Sequence, residues 1–349
     1  VQPSPTMITH RRIKAATKAG VPILLTGVTM GGGPSHWAAE AHLEAGLPLY
    51  ATPDAARSFN DDLDFVREFG VTVVSEDEAA PLGDDVVRLE LKDFDYDAIE
   101  QAFLNFDISL KDLDVVAAAV FDHGAAPPGY SDRQFRFDYI EERVTANPKL
   151  SEFAFLREEI PGIMTRMKAV SASASSLDLP LVLMDTAPAA VLGAMQDPAI
   201  RQTEQFMMTN VGNFHTIAFR MLQGKIEGVF EHHTGMLDTE KLDRLMGKLA
   251  DGTLMHEEIF NDHGHGALLL SPDPLTLSDR TFGVAVTGPR WAMMRGSKLR
   301  PHFSTPFGDM MMAGCYGLVE AVGYVLPEYR EEISAALDEG REKPPWELD

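Results

Sequence analysis

The sequence predicts an α/β protein built as two lobes, residues 1–200 and residues 201–349. Three observations lead there. The chain's 349 residues suit two compact domains with separate cores. Its first half alternates short apolar runs with helical patterns, the signature of layered α/β architecture. Residues 206–232 read as three strands in series, joined by tight turns at Gly212-Asn213 and Gln223-Gly224.

Taken in order, residues 22–27 are a strand that empties into the glycine loop 29–35. A helix over 36–45 comes next, closed by Gly46. Residues 53–69 predict a second helix ended by Gly70, then strands at 71–74 and 86–91 and a helix at 96–106. Residues 115–121 are apolar on both faces, which predicts a buried strand delivering Asp122 and His123. After a polar segment, residues 162–172 read as helix, and the strand 181–184 delivers Asp185. Beyond the three-strand platform, residues 239–250 place Leu242, Leu245, Met246 and Leu249 on one helical face. Residues 282–289 form a strand and its turn, residues 308–325 an apolar helix, and Met310, Met311 and Met312 are expected to pack in a core. Pro344 and Pro345 mark an acidic tail.

Composition narrows the class of partner. Lys and Arg number 30 against 53 Asp and Glu, a net charge of −23. A surface of that sign repels nucleic acid and anionic membrane, so neither is an expected partner. No apolar run approaches the roughly 20 residues that span a bilayer, and the N-terminal residues lack the basic and apolar pattern of a secretory signal. A cytoplasmic protein acting on a small-molecule substrate is expected. The chain starts with Val1 rather than methionine, so upstream residues are expected to have been removed or left out. A single cysteine, Cys315, excludes an intrachain disulfide and a thiolate-ligated cluster.

Several constellations point to chemistry. A Gly-Asn turn between strands aims backbone N–H groups at one small volume, as a phosphate requires. The third strand ends in Glu231, His232 and His233. Neighbours on a strand point to opposite faces, so only one of His232 and His233 can face a shared site. In extended chain His263 and His265 lie on one side and can share a metal ion; alternatively, they hydrogen-bond the loop that holds them. The expectation is that Glu231, His232, His263 and His265 converge on a cleft between the lobes and hold a divalent transition metal. Asp122 and His123 would reach the cleft from the first lobe, and Gly264 and Gly266 would permit the strained path. Gly31, Gly32 and Gly33 lead into a helix N-terminus, where anions bind, though a tight turn needs the same glycines. Asp122 and Asp185, at strand ends, are placed to hold magnesium through water or to activate a hydroxyl; each could instead cap the next helix or turn. Arg133, Arg136 and Arg166 are candidate anion clamps, or surface residues in polar segments.

The segments LTGVTMGGGPS, FNDDL, VFDHGAAPPGYSDRQFRFDY, MDTAPAAVLGA, NVGNFHTIAFR, GVFEHHTG and DHGHGA resemble an uncharacterised prokaryotic family. Its members often carry the label of pyruvate formate-lyase activating enzymes. The resemblance covers nearly the whole chain, and the family is grouped with the actin-like ATPases, alongside sugar kinases and heat-shock ATPases. It implies a two-lobed actin-like (ribonuclease H-like) fold, here lacking the first N-terminal strand hairpin, with ATP and Mg2+ in the cleft. Residues 206–232 are similar to the second phosphate hairpin of that superfamily, and residues 284–290 to its adenosine segment. Gly31, Gly32, Gly33, Asn210, Gly212, Asn213, Thr287 and Gly288 would then cradle a nucleotide or phosphorylated ligand, with Asp122 or Asp185 as base or magnesium holder. Asn210 stands where the family normally has an aspartate, and an amide cannot replace that carboxylate. The activase label implies an iron–sulfur cluster on three closely spaced cysteines, which Cys315 alone cannot supply. The expected function is phosphoryl transfer or hydrolysis. The alternative is a metal- or histidine-dependent enzyme acting on a small non-nucleotide substrate in the same cleft.

Overall fold

The computed structural model describes residues 4–83, 85–278 and 280–339. Val1 and the tail with Pro344 and Pro345 lie outside them. The chain forms two compact units that interleave along the sequence instead of dividing at a single boundary near 200. The first comprises Val1–Asp114, Gly124–Pro128 and Ile160–Pro180; the second comprises Val115–His123, Gly129–Glu159 and Leu181–Asp349. The reason is strand pairing: residues 116–119 pair in parallel with residues 181–184, which draws an early segment into the later unit.

The first unit is a parallel sheet with β1 (Ile23–Gly27) inside, β2 (Leu49–Ala51) and then β3 (Thr72–Val73) on one side, and β4 (Val87–Leu91) on the other. Parallel neighbours need crossover connections, and the helix Pro34–Glu44 supplies the one between β1 and β2. Ile23, Leu24 and Leu25 are fully buried, as the apolar run predicts. The sequence reading missed the helix Pro5–Ala19, which buries Ile13 and Ala16. The helix expected over 53–69 is two, Pro53–Ala56 and Leu63–Glu68. Asn60 accepts the N–H of Asp62 at 2.8 Å and Asp62 that of Asp64 at 2.9 Å, which opens the chain and caps a new helix.

The second unit has two sheets. In the smaller, β5 (Val116–Ala119) pairs in parallel with β7 (Leu181–Met184), and β6 (Ala154–Leu156) pairs antiparallel on the other side of β7. The strand buried throughout is β7; β5 lies at the sheet edge and is only half-buried, contrary to the expectation from its apolar residues. The larger sheet contains β8 (Gln205–Val211), β9 (His215–Leu222), β10 (Lys225–His233), β11 (Gly266–Leu269), β12 (Val284–Thr287) and β13 (Pro301–Phe303), in the order β11-β10-β9-β8-β12-β13. The strands β8 to β11 form an antiparallel ladder, and β12 runs parallel to β8. The β9–β10 turn has Gln223 and Gly224 both left-handed, at φ 48° and 74°, the backbone a two-residue hairpin favours. Leu242, Leu245, Met246 and Leu249 of the helix Thr239–Ala250 pack on this ladder with Met207, Ala218 and Phe230. The polar segment after β5 is a helix, Asp132–Ala146, whose Phe137, Ile140 and Val144 face inward together with Arg136. Met310, Met311 and Met312 form a tight turn with Met311 exposed, because Asp309 caps Met311 N–H at 2.7 Å before the helix Ala313–Val325 starts. Among the described residues no single helix is long and apolar enough to cross a membrane.

One helix crossing leaves no room for side chains. A Cβ on Gly193, in the helix Thr186–Ala194, would lie 1.7 Å from the Ala313 carbonyl oxygen, and one on Gly317 would lie 1.9 Å from that of Ala189. Overpacking costs about 1–3 kcal/mol and occasionally more. Gly193→Ala is therefore expected to lower the urea midpoint clearly, while Gly235→Ala, in open space, leaves it in place. Equal midpoints for the two variants would contradict this crossing.

Candidate metal centre

The second unit's antiparallel ladder brings three histidines together by register. On β10 the side chains of Glu231 and His233 share a face and His232 takes the other. His233 pairs with His215 at the start of β9. On the far side of β10, Glu231 pairs with Gly266, so His265 enters beside it and its backbone N–H donates to the Glu231 carbonyl at 2.9 Å. His215, His233 and His265 each present one ring nitrogen, and the three nitrogens lie within 4.8 Å of one another. The ring centroids are 4.7 Å apart for His233 and His265, and His215 is 5.0 Å from each. Phe121, just past β5, stacks on His215 at 4.5 Å. His265 is buried, and its Nδ1 has no hydrogen-bond partner.

Behind the imidazoles stands a buried charged layer. Arg136 donates from Nε to Glu231 Oε2 at 3.1 Å, pairs with Asp185 Oδ2 at 2.7 Å and donates to the Asp122 carbonyl at 3.0 Å. Arg136, Asp185, Glu231 and Asp122 are each 2% exposed or less. Burial opposes the guanidinium charge, but Asp185 and then Glu231 outweigh it and raise the Arg136 pKa. Burial also works against ionised Glu231, yet Arg136 beside it brings its pKa down to about 2. Burial raises Asp185, and Arg136 offsets only part of the rise. Asp185 also accepts the Ala187 N–H at 3.2 Å, capping the helix Thr186–Ala194, as the capping reading of this residue expects. Two carboxylates face one guanidinium. When all three are ionised the layer carries an excess negative charge, which a cation held by the imidazoles would offset.

The histidines themselves are kept neutral. Burial lowers His215 to about 4 and His265 to about 3, and it lowers His233 too, with neighbouring imidazoles adding to each shift. Neutral rings keep the lone pair that a metal requires. A pH dependence results, because unfolded imidazoles titrate near 6.5. Between pH 6.5 and about 4 the unfolded chain takes up protons that folded His215 and His265 refuse. Stability of the metal-free protein is therefore expected to fall as pH falls through that window. Glu231, lowered from 4.5 to about 2, adds a further loss below pH 4.5, and Asp185, shifted upward, works in the opposite direction. Thermal unfolding at stepped pH checks this; an unchanged midpoint from pH 6.5 to 4.5 would show that solvent reaches the rings.

A family model described as "Putative pyruvate format-lyase activating enzyme (DUF1786)" matches residues 30–293, a span that includes all three histidines and the charged layer. The chain belongs to this family. No curated protein and no solved structure matches it. The activase in the family description does not fit the residues present, since the chain holds one cysteine, Cys315, and it is exposed.

Of the expected site residues, Glu231, His265, Asp185 and Asp122 gather around Arg136, all within the second unit. His123 is exposed at the edge of this group, its ring 6.3 Å from Phe121. His232 does not join: it points to the opposite face of β10, with Nε2 3.3 Å from Asp262. His263 does not join either. Its φ of 63° breaks the extended geometry that would have aligned it with His265, and the side chain is exposed. Gly264 is required by close approach, since a Cβ there would meet Ile259 at 2.5 Å and His232 at 2.7 Å. Arg133 pins the same loop, donating to the Phe260 and Gly264 carbonyls at 3.0 and 2.5 Å.

Several of the residues expected to cradle phosphate have other partners. In the first unit, Gly31 N–H donates to Asp93 at 3.1 Å, and Arg166 donates to the same carboxylate at 2.6 Å. The Gly32 carbonyl accepts from Ser35 and Thr6, and Gly33 precedes the helix Pro34–Glu44. In the second unit, Gly212 N–H closes the hairpin onto the His215 carbonyl at 3.0 Å, and Asn213 is exposed. Asn210 pairs with Thr287 between β8 and β12, and a Cβ on Gly288 would come within 2.7 Å of Asn210 Oδ1. Sequence reading missed His215 and His233 as candidate ligands. The signal was present, because a hairpin that starts at His215 and returns at His233 puts both rings at one end of the ladder.

Proposed function

We propose that this chain is a cytoplasmic metal-dependent enzyme acting on a small non-nucleotide substrate, with His215, His233 and His265 as the ligands of one divalent transition metal. The observation that carries the reading is the triplet of ring nitrogens within 4.8 Å of one another, on rings that burial keeps neutral. Three neutral imidazoles with an open fourth position are the ligand set of catalytic rather than structural zinc sites. A metal bound there would polarise a substrate oxygen or bring the pKa of a bound water toward neutrality. The chain's own residues set the stage for that chemistry. Phe121 excludes water from one face of His215, and Arg136 holds Glu231 and Asp185 in fixed positions behind the ligands. Asp122 and His123, in the segment that follows β5, are the candidates for moving a proton. Metal analysis of purified protein, followed by zinc and cobalt titration of chelator-treated protein, tests the proposal. One tightly held metal per chain is expected; no binding of zinc, cobalt, nickel or manganese would end it.

A second reading, an actin-like fold binding ATP with Mg2+, is supported by a different observation. Thr287 Oγ1 is buried without a hydrogen-bond partner beside Asn210 and the close approach of Gly288. A phosphate oxygen would satisfy that hydroxyl. A rise in melting temperature with ATP and Mg2+ that Thr287→Val removes would favour this reading over the first.

A further inference from the structure

The three ligands are not equivalent, and the difference lies in what stands behind each ring. Among the described residues no hydrogen bond reaches the ring of His215 or His233. None reaches the ring of His265 either, but a carboxylate stands beside it. Its Nδ1 is buried and unpartnered, and it lies 4.0 Å from Glu231 Oε2. The two residues are also tethered through the backbone, His265 N–H to Glu231 carbonyl. Glu231 is clamped on its other side, accepting from Arg136 Nε at 3.1 Å and from a terminal nitrogen of Arg136 at 3.4 Å. A carboxylate has lone pairs to spare for one more donor.

We propose that Glu231 is the positioning residue of the three-histidine site: its carboxylate holds His265 as the Nδ1–H tautomer and so turns Nε2 toward the metal. The inference rests on the metal-dependent reading above. A shift of about 1 Å brings Nδ1 within hydrogen-bond range of the carboxylate. Carboxylates that accept from the outer nitrogen of a ligating histidine fix its ring and make it a better donor. Arg136 enters as the group that keeps Glu231 in place, since Asp185 and the Asp122 carbonyl hold its guanidinium on the remaining sides. Of the three histidines, His265 is thus the anchoring ligand.

The experiment uses the intact chain with zinc and with cobalt. Long-range proton–nitrogen NMR of the zinc-loaded wild-type protein is expected to show His265 protonated at Nδ1 and metal-bound at Nε2. Glu231→Gln, which keeps the size of the side chain, is expected to weaken zinc by about 10–100-fold and to shift the visible bands of bound cobalt. Glu231→Asp should restore part of the affinity, because it keeps the charge. A merely structural role for Glu231 would lower the melting temperature without moving the cobalt spectrum. Protonation of His265 at Nε2, or zinc affinity and cobalt bands unchanged in Glu231→Gln, overturns the inference while leaving the metal site standing. A wild-type protein that binds neither metal overturns the reading beneath it as well. If the Gln variant does not fold, the wild-type NMR result decides.

Discussion

Arg136→Met is expected to destabilise the protein by about 3–5 kcal/mol, the cost of removing one partner from a buried ion pair. The substitution keeps the volume and discards the charge, leaving Glu231 and Asp185 facing each other in a site that is almost solvent-free. Both carboxylates would have to take up protons, and Asp122 would lose a donor to its carbonyl. Burying the whole set in neutral form is far cheaper than burying part of it charged. Adding Asp185→Asn and Glu231→Gln to Arg136→Met is therefore expected to recover much of the loss. Urea denaturation of the single and triple variants measures both effects. A single variant as stable as wild type would mean that the two carboxylates are already neutral without the arginine.

His265→Ala is expected to abolish metal retention while leaving the melting temperature of the metal-free protein nearly unchanged. Losing a direct ligand should cost more than the about 100-fold at the upper end for an outer partner. The small effect on folding has a specific cause. The wild-type ring buries an Nδ1 that has no partner, so alanine removes an unmet polar group as well as packing, and the two contributions oppose each other. His232→Ala provides the contrast: it breaks the hydrogen bond to Asp262 and should leave metal binding intact. Retention of metal by His265→Ala would place the site elsewhere.

The ladder and its helix were legible because their residues obey simple periods. Leu242, Leu245, Met246 and Leu249 lie on a helical stripe, and the turns at Gly212 and Gln223-Gly224 fix where the strands reverse. The charged layer was harder to read. Arg136 sits in a segment that looks polar, and its inward orientation shows only once Phe137, Ile140 and Val144 are taken as the buried face of a helix. The choice between His232 and His233 depended on register, which sequence leaves open until His215 is set opposite His233. His263 misled for another reason. Aligning it with His265 assumed extended backbone, and a left-handed residue breaks that alternation. The glycine loop at 31–33 has the composition of an anion site, but Asp93, far along the chain, occupies its first N–H.

The three histidines come from the ends of separate strands, distant from one another in the chain and adjacent only when β9, β10 and β11 are paired. An unfolded chain has no such site, so on the proposed reading the metal is a ligand of the folded state alone. At a free concentration a thousand times its dissociation constant, such a ligand adds about 4 kcal/mol to stability. That is comparable to the expected cost of removing Arg136 alone from the charged layer behind it. Metal starvation would then act on this protein twice, first by emptying the site and then by shortening its lifetime against cellular proteases, which cut chains that have opened.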